Sequence, residues 1–356
     1  MYLRRSSTIK YAISAFLGAV IYCEFFIYIV QQQYWTTLEC SELDSTCTKI
    51  LFIADPQIQG DLAVPPPLSY LFNWDSDRYL KSTFKVVANY FKPDVLVYMG
   101  DLMDEGSIAS MQQFYKYVKR LSEIFDWEYP AVQVWIPGDN DIGGENEPIR
   151  HNKIQEFEKV FSQPPIVTFS NISIYKVNAI TYTFPLKSDV VKGTENNFKI
   201  AVSHYPVTLR GMFSKKVINE INPNIFFCAH DHESKYVKQG KDLSHRATTW
   251  FTTPKSTLGV SFAEDALYEI YVPTCSYRMG TSYIGYGAAI FENNNQNMRY
   301  TVFWSPTRFP YLILYLVILV ILLSYCLVFC VARLLYRKAK PVGLSSEMSL
   351  LLLERI

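Results

Sequence analysis

Two long apolar segments flank the central part of the chain. Residues 11–30 contain one charged side chain, Glu24, and residues 310–332 contain none. Each segment could cross a hydrocarbon core of roughly 30 Å as a helix, so the pattern predicts two transmembrane helices. A cleaved signal peptide is the alternative for the first segment, but its apolar part exceeds a typical signal-peptide core and no A-x-A-like site follows it. We therefore expect an uncleaved anchor.

Basic residues lie on the outer side of both segments. Arg4, Arg5 and Lys10 precede the first segment, and Arg333 and Lys338 are among those that follow the second. Because cytosolic flanks carry an excess of Lys and Arg, we expect both termini in the cytosol and the central part in a lumen or outside the cell. The predicted organisation is a cytosolic N-terminus at 1–10, a transmembrane helix at 11–30, a lumenal domain at 31–309, a second transmembrane helix at 310–332 and a cytosolic tail at 333–356.

Three helices are predicted in the first half of the lumenal domain, because apolar residues recur there at helical spacing. They occupy residues 77–91, 107–125 and 150–161. Their predicted core-facing residues are, in order, Leu80, Phe84, Val87 and Phe91; Ile108, Met111, Tyr115, Val118 and Phe125; and Ile154, Phe157 and Phe161.

Short apolar runs separate these helices, and such runs are typical of strands buried on both faces. The runs are ILFIA, DVLVYM, AVQVWI, KIAV and NIFFCA. After Lys235 the sequence is rich in strand-like segments, and ENNNQNMRY predicts a hairpin turn. The pattern as a whole predicts an α/β domain with two stacked β-sheets flanked by helices.

The chain is close to electrically neutral, with a formal net charge of +1. A nucleic-acid-binding protein is expected to show a basic excess or a clustered Lys/Arg stripe, so we expect no nucleic-acid partner. Two local features agree with a lumenal domain. Asn171-Ile172-Ser173 is an N-glycosylation sequon, and the spacing of Cys40 and Cys47 allows a small disulfide loop.

Five of the predicted strands end in side chains of the types that bind metals. One such ending has an ordinary explanation, because Asp and Gly are common turn residues. Five in succession, with three of the chain's five histidines in two of them, favour a site at the strand edge where open α/β sheets bind ligands. In chain order the residues at these endings are Asp55, Gln57, Asp101, Asp139, Asn140, Asp141, His204, His230 and His232.

The order of these residues resembles the calcineurin-like metallophosphoesterases, whose usual pattern is D-x-H, G-D-x-x-D, G-N-H-D or G-N-H-E, H, and G-H-x-H. The corresponding stretches here are ADPQ, GDLMDEG, PGDNDIGG, SHYP and AHDHES, between about Ile50 and Ser234. With its two predicted spans the chain is similar to the membrane-anchored members that remodel glycosylphosphatidylinositol (GPI) anchors, removing a side-branch ethanolamine phosphate from a mannose. The resemblance implies the two-sheet phosphoesterase sandwich.

The resemblance also implies a site for two divalent cations, with Asp101 bridging them. Gln57 and Asp139 stand where the family usually has His and Asn, so a nitrogen ligand is exchanged for oxygen and a carboxylate is gained. Harder oxygen ligation favours manganese or magnesium, and we expect manganese. The implied ligands are Asp55, Gln57, Asp101 and His232 for one cation, and Asp101, Asp139, His204 and His230 for the other.

Asn140 and Asp141 are the predicted catalytic residues. Asn140 stands where the family has a His that is thought to act near the leaving group, and an amide can stabilise developing charge but cannot act as a general acid. Loss of proton transfer could cost about 10²–10⁴ in rate. Asp141 is expected to orient its loop rather than bind metal.

The function implied by the resemblance is a metal-dependent phosphodiesterase that acts on GPI lipid or GPI-anchored proteins and aids their export from the endoplasmic reticulum. Two alternatives stay open. One is a catalytically impaired, metal-binding member that acts as a receptor or chaperone for anchored proteins, and the other is a phosphodiesterase for another lumenal lipid or nucleotide. The expected location is the membrane of the endoplasmic reticulum, its exit sites or the Golgi.

Overall fold

The computed structural model describes residues 5–339 except 42, 43, 63 and 264. Residues Met1–Thr307 and Arg308–Ile356 belong to separate units. In the described residues the helices are α1 (Arg5–Ile21), α2 (Ile27–Gln31), α3 (Leu68–Phe91), α4 (Met111–Ile124), α5 (Asp139–Ile142), α6 (His151–Val160), α7 (Met212–Ile221) and α8 (Phe309–Ala339). The strands are β1 (Thr48–Ile53), β2 (Val95–Tyr98), β3 (Val132–Trp135), β4 (Ile166–Phe169), β5 (Ile172–Lys176), β6 (Phe198–Val202), β7 (Ile225–Cys228), β8 (Lys235–Gln239), β9 (Ala247–Trp250), β10 (Thr257–Ser261), β11 (Leu267–Tyr271), β12 (Gly285–Glu292) and β13 (Asn297–Trp304).

Two mixed β-sheets form the centre of the first unit. One has the strand order β10-β13-β12-β1-β2-β3, and the other has the order β4-β5-β6-β7-β11-β8-β9. Buried residues of both sheets form one apolar core, in which the rings of Phe52 and Phe227 stack with their centroids 4.1 Å apart. Strands such as β2 and β7 are buried at every residue, and burial on both faces of a sheet explains why they read as continuous apolar runs. The prediction of two stacked sheets with helices is confirmed.

Helix α3 presents the predicted residues to the core, whereas most of the predicted face of α4 is wrong, although Phe125 at its end is buried as predicted. Leu80 and Phe84 of α3 are buried, but Met111 and Tyr115, which the pattern assigned to the core, are exposed on α4. Two apolar faces of α4 recur at helical spacing, so periodicity alone does not choose between them. The residues of α4 that are buried are Phe114, Tyr117, Leu121 and Ile124.

Three smaller features bear on the sequence predictions. Cys40 and Cys47 form a disulfide, and residues 293–296 form the predicted turn between β12 and β13. The hairpin of β4 and β5 was not predicted from the sequence. Its strands are short, and only Ile166 of the four residues of β4 is fully buried, which weakens the apolar signal.

Helices long and apolar enough to cross a membrane occupy Ile13–Tyr34 and Phe309–Leu335. The first continues through a π-helical turn at Tyr22–Phe26 into α2. On this stretch Cys23, Ile27 and Tyr28 are buried, and the Tyr28 ring lies edge-on to that of Tyr79 in α3, with centroids 6.1 Å apart. The C-terminal part of this helix therefore packs on α3. The domain boundaries drawn from the sequence and the orientation across a membrane stay predictions.

Candidate metal centre

Parallel strands bring the predicted ligands to one edge of the two sheets. In the first sheet β1, β2 and β3 are parallel neighbours, and Ile53, Tyr98 and Trp135 lie side by side near their ends. In the second sheet β6 and β7 are parallel neighbours. The loops that leave these strands carry the candidate ligands, and because the strands end at the same edge, the side chains converge although up to 177 positions separate them in sequence, from Asp55 to His232.

His204 lies at the centre of the cluster. Its Nε2 atom is 3.0 Å from Asp139 Oδ1 and 3.4 Å from Asp101 Oδ1, and its Nδ1 atom is 3.7 Å from Asp55 Oδ1. His230 Nδ1 is 3.3 Å from Asp139 Oδ1. Ligand atoms within 4.8 Å of one another form two groups that share His204, namely Asp139, His204 and His230, and Asp55, Asp101 and His204.

Gln57 and His232 complete the set on the other side of Asp101. Gln57 Nε2 is 3.2 Å from Asp101 Oδ2 and 3.4 Å from His232 Nε2. In this orientation the Gln57 amide directs its NH₂ group at Asp101, so a ligand role requires the amide to turn and present Oε1. The structure thus brings all of the predicted ligands together, and their individual ligand roles stay predictions.

The backbone at the site adopts a conformation that most residues avoid. Five of the seven predicted ligands have positive φ angles, between 42° at Gln57 and 67° at His230. Such angles are uncommon for residues other than glycine, and strained positions persist where the surrounding structure holds them and often lie at functional sites. Gly138 is required for close approach, because a Cβ atom there would lie 2.1 Å from Asp101 Oδ1. The backbone around the candidate ligands is therefore held in a conformation that brings these side chains close together.

Burial and crowding perturb the carboxyl groups. Desolvation raises the pKa of Asp55 and raises that of Asp101 well above its ordinary value, and the neighbouring Asp139 raises both further. Burial also raises the pKa of Asp139, but hydrogen bonding to His204 and His230 outweighs this effect, so the net shift is downward. Desolvation lowers the pKa of His204, whereas Asp101 and Asp139 raise it more, to about 10. Desolvation therefore disfavours the ionised forms of Asp55 and Asp101 in the metal-free protein, and a bound cation would stabilise those ionised forms.

The side chains fit divalent cations. Both carboxylate oxygens of Asp55 are buried and have no hydrogen-bond partner among the described residues. A buried carboxylate without a partner is costly, and a metal ion would supply the missing interaction. The Nδ1 atom of His204 lies 2.9 Å from the Met99 carbonyl, and an N–H donated there would leave the Nε2 lone pair directed at the carboxylates. This arrangement is typical of metal-binding histidines.

Asn140 forms hydrogen bonds to the Asp101 carboxylate, and Asp141 forms hydrogen bonds to the loop that contains Asp101. The backbone N–H and the side-chain NH₂ of Asn140 each donate to the Asp101 carboxylate at 2.9 Å. Asp141 is fully buried and accepts backbone hydrogen bonds from Gly138, Leu102 and Met103. Desolvation raises the pKa of Asp141 to about 6 against these hydrogen bonds. Asp141 therefore ties the loop after β2 to the loop after β3.

The sequence did not single out three residues that support the site, Tyr205, Arg278 and Glu269. The Tyr205 ring packs edge-on to His230 with centroids 4.2 Å apart, and the guanidinium carbon of Arg210 lies 4.6 Å from the centroid of that ring. Arg278 donates to the Gln57 carbonyl at 2.8 Å. Glu269, fully buried, accepts from the backbone of Val207 at 2.7 Å, in the loop after His204. The position of Tyr205 directly after His204 was an available signal, whereas Arg278 and Glu269 are distant in sequence.

The comparison with known families decides the assignment. The family model described as "Calcineurin-like phosphoesterase" matches residues 48–234. The chain belongs to the calcineurin-like phosphoesterase family. The matched segment contains every predicted ligand, so the resemblance drawn from the motif order is confirmed at the level of the family.

Two similar curated proteins are named Metallophosphoesterase 1. Metallophosphoesterase 1 of Ailuropoda melanoleuca is 27% identical over 183 residues, which cover 50% of this chain and 45% of the relative. Metallophosphoesterase 1 of Gallus gallus is 27% identical over 173 residues, which cover 46% and 42%. The match thus spans less than half the length of these relatives. The crystal structure of a metallophosphoesterase from Sphaerobacter thermophilus is similar over 71% of this chain and 87% of that chain, at 16% identity and a TM-score of 0.35.

Family membership and the geometry together indicate a metal-dependent phosphoesterase. By length and composition, two helices of the described residues are apolar enough to cross a membrane.

Proposed function

We propose that this phosphoesterase is a dinuclear phosphodiesterase that removes a side-branch ethanolamine phosphate from a mannose of GPI anchors. The observation that carries the proposal is the convergence of seven ligand-type side chains from five strand ends onto one buried cluster. The similarity to Metallophosphoesterase 1 and the motif order support the choice of substrate class. The two apolar helices would keep the site beside lipid-linked substrates in the endoplasmic reticulum or Golgi membrane.

The ligand set is suited to two manganese ions. Asp55, Gln57, Asp101 and His232 would hold one ion, and Asp101, Asp139, His204 and His230 would hold the other. Bound there, the ions would supply Lewis-acid stabilisation of the phosphoryl oxygens and lower the pKa of the attacking water. The chain's own residues position the substrate and stabilise charge. Oxygen donors from three carboxylates and one amide favour manganese over zinc.

Substrate would approach from the partly exposed side of the cluster. Asn140, His230 and His232 are only partly buried, whereas Asp55 and Asp101 are closed off from solvent. The side-chain NH₂ group of Asn140 would stabilise charge near Asp101, and Arg210, stacked on Tyr205, would offer a cation to an anionic phosphodiester. The leaving alkoxide would need a proton from water, because an amide cannot provide one.

Release of ethanolamine phosphate tests the activity. The full chain, purified in detergent with added manganese, is incubated with GPI lipid, and the products are measured by mass spectrometry. We expect product from the wild type and none from His230→Ala. His151→Ala is the matched control, because His151 is exposed and its ring contacts Gln155 in its own helix at 3.0 Å. Equal product from the wild type and His230→Ala would contradict the proposal.

Metal analysis tests the manganese assignment separately. The protein is purified without added metal and its metal content is measured, and activity is then assayed after titration with manganese or zinc. We expect two manganese ions per chain to give full activity. Stoichiometric zinc together with no response to manganese would contradict the assignment.

One observation favours a second candidate function. Both nitrogens of Asn140 already donate to Asp101, so the residue at the family's usual His position is committed to the ligand shell. A catalytically impaired, metal-binding receptor or chaperone for anchored proteins would need no group at that place. Metal binding and binding of a GPI-anchored protein without any turnover would favour this second function.

A further inference from the structure

In the N-terminal half of α3, the polar residues are buried and the apolar residues are exposed. In a helix on the surface of a soluble protein, apolar residues face the core and polar residues face water. Here Ser69, Asn73 and Ser76 are buried. The exposed residues of the same turns form what we call the apolar ridge, and each exposes between 44% and 63% of its surface; they are Leu68, Tyr70, Leu71, Phe72 and Trp74.

The C-terminal half of the same helix has the ordinary arrangement. Phe84 and Val87 face the core, while Lys81 and Lys85 are exposed. The reversal is therefore confined to the first turns of α3, where the sequence from Leu62 to Trp74 contains no charged residue. A contiguous exposed apolar surface of this kind marks an interaction site.

The polar side of α3 fixes the ridge relative to the metal centre. Asn73 donates to Asp61 Oδ1 at 3.0 Å, and Tyr277 donates to Asp75 Oδ2 at 2.8 Å. Arg120 binds the Asp77 carboxylate and donates to the Gln59 carbonyl at 2.6 Å. Residues 59–61 begin two positions after the candidate ligand Gln57, so these hydrogen bonds connect the ridge to that side of the metal centre.

The ridge is continuous with the first candidate span. Arg78 of α3 forms an ion pair with Glu24, and its guanidinium carbon lies 5.5 Å from the ring centroids of both Phe25 and Trp74. Phe25 and Phe26 expose 63% and 53% of their surface. The exposed apolar residues of the span and those of the ridge thus meet around one neutralised ion pair. A charge within an apolar layer is tolerated when it is paired in this way.

We propose that the apolar ridge inserts into the interfacial layer of a phospholipid bilayer beside the first candidate span. Tyr and Trp are enriched at membrane interfaces, and the ridge contains both. Insertion would hold the Gln57 side of the metal centre at the lipid surface. The proposal concerns the position of the protein against lipid and does not depend on which phosphoester is cleaved.

Depth-dependent quenching tests the insertion directly. The full chain carries Cys326→Ser and Cys330→Ser, which remove the exposed cysteines, and a single new cysteine from Leu71→Cys is labelled with nitrobenzoxadiazole. The protein is reconstituted into phosphatidylcholine vesicles. We expect blue-shifted emission, strong quenching by a nitroxide on the lipid acyl chain, and loss of quenching by aqueous iodide.

Two control positions are exposed outside the ridge. Lys85→Cys reports the other half of α3, and Met212→Cys reports an apolar residue of α7 that exposes 78% of its surface. We expect iodide and not the lipid nitroxide to quench both labels. If iodide quenches the Leu71 label as much as the Lys85 label, the proposal is wrong. It is equally wrong if the Leu71 label is protected from iodide without nitroxide quenching, because a protein partner or a second copy would then cover the ridge.

A paired rate measurement adds a functional outcome. Leu71→Glu and Trp74→Glu should lower the rate on a substrate embedded in vesicles and leave the rate on the soluble diester bis(p-nitrophenyl) phosphate unchanged. Met212→Glu should change neither rate. Equal loss on both substrates would show a folding or site defect instead of lost membrane contact, and no loss on either would overturn the role of the ridge.

Discussion

The candidate metal centre has a buried side and an open side, and the side chains of the two sides differ in their exposure to solvent. Asp55 and Asp101 are 0% and 2% exposed, and their environment raises the pKa of both. His230 and Asn140 lie at the open side and are partly exposed. On the buried side, desolvation disfavours the ionised carboxyl groups, and a bound cation would stabilise them; the open side is where the substrate would meet the protein. The difference indicates that binding of metal and chemistry on the substrate can be altered separately.

The largest effect is expected from Asp101→Asn on the buried side. Partners outside the ligand shell typically contribute about 10–100-fold to metal affinity or activity, so loss of a bridging ligand should cost more than about 100-fold in activity. Metal content and turnover measure this. Because burial raises the pKa of Asp101, the neutral side chain should leave the metal-free protein at least as stable to heat. A lower melting temperature for the metal-free variant would contradict that account.

Gly138→Ala should come next, because it disturbs the buried side without removing a ligand. The added Cβ would lie 2.1 Å from Asp101 Oδ1 and 2.2 Å from the Asp101 backbone nitrogen. We expect loss of metal affinity, measured by titration calorimetry. Gly259→Ala is the matched control, since a Cβ there meets nothing within 4 Å. Unchanged metal affinity in Gly138→Ala would show that the loop shifts freely.

Asn140→His should alter the open side in a way that depends on the leaving group. A histidine could act as a general acid, which is worth about 10²–10⁴ in rate when a proton is needed. We expect a higher kcat on an alkyl phosphodiester and little change on a p-nitrophenyl diester, whose leaving group needs no proton. Equal changes on both substrates would point to a disturbed ligand shell, because Asn140 also donates to Asp101.

The smallest effect is a pH dependence of the metal-free protein. Its environment raises the pKa of His204 from 6.5 to about 10, so His204 binds a proton more tightly in the folded state. The resulting stability is fully present below pH 6.5 and is lost as the pH rises through about 10. Thermal unfolding after chelator treatment, followed between these pH values, should show the decline. Metal-loaded protein should lack the part of the decline that comes from His204.

The sequence located the metal centre because its signal is local. Each candidate ligand follows a short apolar run, and parallel strands place the ends of such runs at one edge, as Asp55 and Asp101 illustrate. Another local signal, the spacing of Cys40 and Cys47, predicted their disulfide, which the structure confirms. It failed for α4, where Tyr117 is buried and Tyr115 exposed, since two faces of similar apolarity were available.

What the sequence determined by itself is the two-sheet α/β architecture, the candidate ligand residues at the strand ends and the presence of two apolar helices. Tertiary structure decided which face of α4 is buried, that Asn140 donates to Asp101, and that the first turns of α3 present apolar residues outward beside the first helix. The physical reason is that periodicity and residue chemistry act within one segment. The direction in which a face or an amide points depends on contacts with residues far away in the chain.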